Sequence, residues 1–303
     1  MRTRAFLELI RVFLTPSALA DSLAGYALAS AVLERPYDPL SLGAALLASI
    51  FLYWFGMATN DVFDRERDRV KAPGKPLPGG RISLRAALVV SATLVALALG
   101  AAAAAGTTLA ALAVLALALG YNGGGKRLPV LGNLLMGSAR AGNFLLGAGA
   151  VAPLGEVLED PSIVAGAALL GLYVAGVTAV SVLEDRPYRP RVFHVLASPL
   201  LGIPLLLAAL EPLSARGWLN SVALIWLLIR TQRRAASRRA ADHPAAVYVR
   251  SALAGIFLVD AGIIWTFTPP GAALYPVPLA IYCLALLGWW WKRGWLQSGR
   301  PDT

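Results

Sequence analysis

Residues 41–68 read SLGAALLASIFLYWFGMATNDVFDRERD, nineteen residues without a charge followed by nine that carry six. An uncharged run of that length matches the roughly 20 residues an α-helix needs to cross a bilayer. The change at Asn60 is abrupt, so the helix meets a polar surface there and delivers a dense acidic and basic segment to it. Comparable apolar runs recur along the whole chain. The 303 residues are 57% hydrophobic and 15% charged, against about 25% charged in ordinary soluble domains. This composition excludes a water-soluble globular surface. It predicts an all-α fold, a polytopic transmembrane bundle of about nine to ten helices. The spans are expected near residues 5–31, 41–59, 83–104, 107–121, 130–151, 162–183, 192–210, 217–231, 248–267 and 273–291, in one integral-membrane domain covering 1–303.

The basic residues set the orientation. One side receives Arg2, Arg4 and Arg11, seven basic residues from Arg65 to Arg85, Lys126, Arg127, Arg186, Arg189, Arg191, the run from Arg230 to Arg250, and Lys292, Arg293 and Arg300. The other holds Arg35 and Arg216 beside Glu156, Glu159 and Asp160. Short loops rich in Lys and Arg stay in the cytoplasm, so both termini and the charged loops are expected there, in a multi-pass protein of the cell membrane. The formal net charge of +10 sits in loops between apolar spans rather than along one amphipathic face. Nucleic acid is therefore not an expected partner, membrane lipids are, and no obligate protein partner is evident. The single cysteine, Cys283, excludes an internal disulfide. The first apolar stretch carries Glu8 and Arg11 and lacks a signal-peptide pattern, so it reads as a first helix.

Within the acidic segment, Asn60, Asp64 and Asp68 are spaced four apart. If the helix continues, they stack on one face with Asp61 to the side. A column of carboxylates repels itself unless a cation sits among them. Hard oxygen ligands suit Mg²⁺, which is usually completed by waters and substrate phosphates rather than by a full protein cage. The implied substrate is a phosphate or diphosphate ester. A solvated helix end with mixed charges is the plainer alternative.

The segment Asn60 to Ser83, NDVFDRERDRVKAPGKPLPGGRIS, resembles the first signature of the UbiA-type intramembrane prenyltransferases, NDxxDxxxD followed by a basic segment containing Pro and Gly. Tyr121 with Lys126 is similar to the basic loop after that family's fourth helix. The resemblance implies a helical bundle around a cavity open to the cytoplasmic side, where Mg²⁺ holds an isoprenoid diphosphate against a lipophilic acceptor, an aromatic or quinone-precursor compound being the expected type. It makes Asn60, Asp61, Asp64 and Asp68 the first metal group, Asp64, Asp68, Lys126 and Arg140 the expected catalytic residues, and Lys71, Lys75, Arg81, Tyr121, Lys126 and Asn143 candidates for gripping the diphosphate. The family's second signature, two aspartates four apart after the sixth helix, is replaced here by Ser181-Val182-Leu183-Glu184-Asp185-Arg186-Pro187. Glu184 and Asp185 are the candidate ligands of a second ion, or else exposed loop carboxylates.

The expected fifth span carries Gly132, Asn133, Gly137, Arg140 and Asn143 on roughly one helical face. An arginine at bilayer depth is costly and marks an anion or a polar cavity. Arg140 and Asn143 are therefore candidates for contacting a phosphate or the acceptor, with pairing of Arg140 to Asp21 or Asp260 as the structural alternative. The run Gly123 to Gly125 is a flexible turn or a backbone phosphate cradle. His194 and His243 read as structural, and Trp289, Trp290, Trp291 and Trp295 as an interfacial belt. Two other functions remain open on sequence: a polyprenyl-phosphate sugar-phosphate transferase, which needs the same acidic motif, and a non-catalytic lipid transporter or binding protein, in which Asp21, Arg140 and Asp260 line a pathway.

Overall fold

The computed structural model describes residues 2–210, 215–236, 243–268 and 276–297. Among them every regular element is helical: α1 (Arg2–Leu9), α2 (Thr15–Val32), α3 (Pro39–Phe63), α4 (Arg65–Lys71), α5 (Leu84–Ala104), α6 (Thr108–Asn122), α7 (Pro129–Ala148) and α8 (Leu154–Glu159). There follow α9 (Pro161–Ser181), α10 (Pro190–Ala197), α11 (Gly202–Leu210), α12 (Ala215–Ala236), α13 (Pro244–Ala254), α14 (Ile256–Phe267) and α15 (Pro276–Gln297). Six stretches are long and apolar enough to cross a membrane, namely Val12–Val32, Pro39–Phe63, Leu84–Ala104, Pro161–Ser181, Pro190–Leu210 and Pro244–Phe267. Thr108–Asn122 and Val277–Trp290 are shorter apolar helices. The start of the last expected span, 273–275, lies outside the described residues.

Local chemistry sets the boundaries. Proline stands in the first turn of α2, α3, α7, α9, α10 and α13, where its missing N–H costs no helical bond. Asp38, Ser83 and Asp160 cap α3, α5 and α9 with side-chain oxygens that accept from backbone N–H groups, as N-cap residues do. The structure corrects the expected first helix. Instead of running unbroken from 5 to 31 it breaks at Arg11, whose φ of 47° and ψ of 51° are left-handed, and re-forms through a 3₁₀ turn at Val12–Leu14. The seventh and ninth spans are interrupted as well, at the 3₁₀ turn Ser198–Leu201 and at Gly255.

The centre of the bundle is α2, 78% buried within its span, and it packs on α7, α3, α14 and α15. Small residues make this possible. A Cβ on Gly25 of α2 would lie 1.9 Å from Phe144 O of α7, and one on Gly147 of α7 would lie 1.8 Å from Ser22 O of α2. Gly137 of α7 meets Gly171 of α9 in the same way, 2.3 Å from its carbonyl oxygen. Lipid tails are as apolar as leucine, so helices in a bilayer associate through such backbone approach. The main core joins α2, α7 and α9 with the C-terminal helices. A second cluster joins α3, α5 and α6, including Ala45, Ala98, Ala102 and Ala111.

Candidate active site

Asn60, Asp61 and Asp64 stand at the end of α3, and Asp68 on the short α4 that prolongs it. The backbone turns slightly at Asp64 (φ −87°, ψ 0°), yet the helical bonds continue through the motif's own rungs. Asp64 N donates to Asn60 O at 2.9 Å, Asp68 N to Asp64 O at 2.8 Å, and Ala72 N to Asp68 O at 2.9 Å. The three four-spaced residues thus keep their stacking across the break. Asp61, Asp64 and Asp68 are only 3%, 8% and 6% exposed, which a solvated helix end would not be.

Two lysines comb this ladder. Lys126 Nζ lies 2.9 Å from Asn60 Oδ1 and 2.7 Å from Asp64 Oδ2. Lys75 Nζ lies 2.8 Å from Asp68 Oδ2 and 3.4 Å from Asp61 Oδ1. Each reaches its place through an ordered loop. Lys126 follows Gly124, whose φ of 152° favours glycine, and Gly125, where a Cβ would strike Gly120 O at 2.8 Å. The glycine run is therefore a tight turn that swings Lys126 back toward α3. Asn122, at the end of α6, fixes that turn by donating to Gly56 O and Thr59 Oγ1, both at 2.9 Å. Lys75 sits in a loop pinned by Leu77, which is buried with Leu9, Ala58 and Ala87. Burial pulls the Lys126 ammonium below the ordinary lysine range, against the opposing pull of Asp64. Tyr121 stands within electrostatic reach of Asp64.

The second acidic loop comes to the same face. Asp185 Oδ2 accepts from Arg67 and, at 3.1 Å, from Lys71, both on α4. The Lys71 hydrogen bond, with Arg67 beside it, holds the Asp185 carboxyl below the usual range. Glu184 faces Arg250 and His243 instead, and burial pushes its carboxyl up. The adjacent pair expected to share a second ion therefore diverges, with Asp185 alone turned to α4. His243 caps α13 by accepting from Ala245 N at 3.3 Å and donates Nε2–H to Arg186 O at 2.9 Å, a structural role.

Besides Lys71, which pairs with Asp185, three more expected phosphate contacts have other partners. Arg81 pairs with buried Glu8 of α1 and donates to Gly74 O at 2.7 Å, so it braces the loop that carries Lys75. Arg140 Nε lies 2.9 Å from Asp21 Oδ2, and its other nitrogen donates to Ser17 O at 3.2 Å. Asn143 donates to Ala18 O at 2.8 Å and Asp21 Oδ2 at 3.2 Å. Arg140 and Asn143 thus knit α7 to α2 below the acidic ladder. Arg11 joins the site without belonging to the four-spaced motif. Its left-handed backbone aims the guanidinium to within 3.5 Å of Asp61 Oδ1, and it acts on Tyr53 and Tyr121. The signal for it was a charge inside the first apolar stretch.

Among the described residues no three acidic, imidazole or thiol side chains converge into a ready-made metal cage. The donors are instead three carboxylates and an amide in a column, backed by ammonium groups. That set fits an octahedral cation completed by phosphate oxygens.

The UbiA prenyltransferase family profile matches residues 18–252. This chain belongs to that family. A relative in Methanothrix thermoacetophila, digeranylgeranylglyceryl phosphate synthase, is 32% identical over 222 residues, 68% of this chain and 80% of the relative. An apo UbiA homolog from Aeropyrum pernix has the same fold at a TM-score of 0.66 and 25% identity, covering 82% of this chain and 96% of that one. A UbiA homolog from Archaeoglobus fulgidus, solved bound to DMAPP and Mg²⁺, shares the fold at a TM-score of 0.51 and 20% identity, over 94% and 97% of the two chains. The chain is accordingly a multi-pass membrane prenyltransferase of the UbiA type.

Proposed function

We propose that this UbiA-family enzyme transfers a geranylgeranyl group from its diphosphate to the free hydroxyl of a glyceryl phosphate that already carries one such group. The observation that carries the donor half is the ladder of Asn60, Asp61, Asp64 and Asp68 gripped by Lys75 and Lys126. The acceptor half comes from the relative's name, since a digeranylgeranylglyceryl phosphate is completed by attaching its second chain. This replaces the aromatic or quinone-precursor acceptor as the leading reading. The distribution of Lys and Arg supports a cytoplasmic motif face.

Each lysine bridges two rungs of the ladder, so an entering diphosphate exchanges partners with it. The ammonium groups pass to phosphate oxygens and leave the carboxylates to face the cation. Mg²⁺, when bound there, supplies charge neutralisation for the departing diphosphate. Lys75, Lys126 and Tyr121 hold the leaving group in a site already arranged for its charge, the electrostatic preorganisation that dominates many enzymes. The allylic C–O bond breaks with its electron pair going to the diphosphate. The acceptor hydroxyl oxygen bonds to the allylic carbon, and its proton passes to the released diphosphate. The apolar bundle excludes water from the cationic carbon. Arg11 stands ready for a second anion, the phosphate that this acceptor carries, with Lys75 and Lys126 committed to the first.

The test is diphosphate release and lipid product formation by purified protein with geranyl, farnesyl and geranylgeranyl diphosphates, against geranylgeranylglyceryl phosphate and 4-hydroxybenzoate as acceptors. Turnover with the glyceryl phosphate that is abolished by EDTA, restored by Mg²⁺ and lost in Asp64→Asn and Asp68→Asn is the expected outcome. Turnover only with the aromatic acceptor overturns the acceptor assignment. Mg²⁺-independent turnover, or full turnover in both variants, overturns the site.

A further inference from the structure

Helix α12 presents two unlike faces. Leu224, Leu228, Thr231 and Ala235 are buried against the bundle. The outer face carries Val222, Ile225, Trp226 and Ile229 at helical spacing, with Val222 and Trp226 more than half exposed. Continuing along the same face, the last turns carry Arg230, Arg233 and Arg234. These seven side chains, all on α12, line one shallow, open concavity of about 570 Å³ on the outside of the molecule. The Arg230 guanidinium lies over the Trp226 ring, 4.6 Å from its centroid, which holds one charge at the junction of the apolar and basic parts.

The height of this junction is fixed by a neighbour. Gln232, between Arg230 and Arg233 in the chain, contacts His194 Nδ1 at 2.8 Å and Ser198 Oγ at 3.3 Å. His194 belongs to α10, which begins a few residues after the second acidic loop. The three arginines therefore stand at the end of the bundle where the acidic ladder emerges, with the apolar stripe running away from that end along α12. Apolar groove below and clustered guanidinium groups above are complementary to one kind of occupant, a lipid with acyl or isoprenoid chains and an anionic phosphate.

We infer that the outer face of α12 is a binding site for an anionic glycerophospholipid of the surrounding bilayer, with the phosphate held by Arg230, Arg233 and Arg234 and one chain lying along Val222, Ile225 and Trp226. The occupant is distinct from the substrates, because the groove faces outward from the bundle and the ladder lies on α3 and α4.

The experiment uses the full chain in nanodiscs of phosphatidylcholine doped with brominated phosphatidylglycerol or brominated phosphatidylcholine. The signal of Trp226 is taken as the difference between wild type and Trp226→Phe. Bound lipid is counted in parallel by native mass spectrometry. The expected result is quenching of Trp226 at roughly ten-fold lower mole fraction of the anionic lipid, as clustered arginines at a surface predict. The preference should fall to near unity in R230Q/R233Q/R234Q. Should that triple variant fail to fold, R230Q/R233Q must still lose most of it. Equal quenching by the two lipids, or an anionic preference that survives loss of the arginines, overturns the proposal. So does displacement of the brominated lipid by geranylgeranyl diphosphate, which would assign the groove to substrate.

Discussion

At the scale of single residues, the site depends on two lysines that each hold two partners. Lys126 contacts Asn60 and Asp64, so Lys126→Ala removes a charge-assisted grip worth roughly ten- to hundred-fold in kcat/KM, measurable as diphosphate release. Burial lowers the proton affinity of Lys126. Its charge is therefore lost, as pH rises, sooner than that of a free lysine. Activity is expected to fall on that alkaline limb, and Lys126→Arg, which stays charged, should move the limb to higher pH while lowering the maximum. An unmoved limb would show that Lys126 does not set it. Arg11 is argued on different grounds. A left-handed non-glycine backbone costs on the order of 1–3 kcal/mol and persists only where the surrounding structure over-determines it. Arg11→Gln should raise the KM of a glyceryl phosphate acceptor well above any change in the KM of the donor; equal changes in both would place Arg11 with the diphosphate instead.

At the scale of elements, α7 ties the bundle together, and it does so by close backbone approach and one ion pair. Gly147→Ala places a methyl group 1.8 Å from Ser22 O with no flexible side chain to yield, so it should destabilise by about 1–3 kcal/mol or more. Gly100→Ala on α5, where nothing lies within 4 Å, should instead stabilise by up to about 1 kcal/mol through helix propensity. Thermal unfolding in micelles measures both. Asp21→Asn removes the carboxylate paired with the Arg140 guanidinium and leaves Asp260 as the other carboxyl within its electrostatic reach, a loss of up to about 3–5 kcal/mol. Asp21→Asn with Arg140→Met should recover part of it, and a double variant no better than the single would argue against the pairing. Much of this level was legible in the sequence. Apolar runs marked the spans, Pro, Ser and Asp marked their starts, and the four-residue spacing marked the ladder, because each is a local signal. The break at Arg11 was not legible, since a left-handed arginine is imposed by contacts with Asp61 that lie 50 residues away. The partner of Arg140 was legible only as a choice between two aspartates. The meeting of Asp185 with Arg67 and Lys71 depends on how α4 and the loop after α9 converge, and no local pattern encodes that.

At the scale of the whole molecule, charge divides the two ends. The ladder, Lys75, Lys126, Asp185 and the arginines of α12 gather at one end. At the other, Arg35 pairs with Glu156 at 2.9 Å, joining the loop after α2 to α8. If short basic loops stay in the cytoplasm, the catalytic end faces inward and draws its diphosphate from the cytosol, while Glu156 and Glu159 face out. Two exposed positions report this without touching the site: Val70 on α4, 85% exposed, and Leu158 on α8, 49% exposed. In a Cys283→Ser background, Leu158→Cys should react with a membrane-impermeant maleimide on intact cells, and Val70→Cys only after permeabilisation or in inverted vesicles. The reverse pattern would turn the molecule over and place its chemistry outside. Labelling of both from one side would break the link between the charge asymmetry and the two ends of the bundle, because helices packed as α2, α3, α7 and α9 are cannot bring α4 and α8 to the same surface.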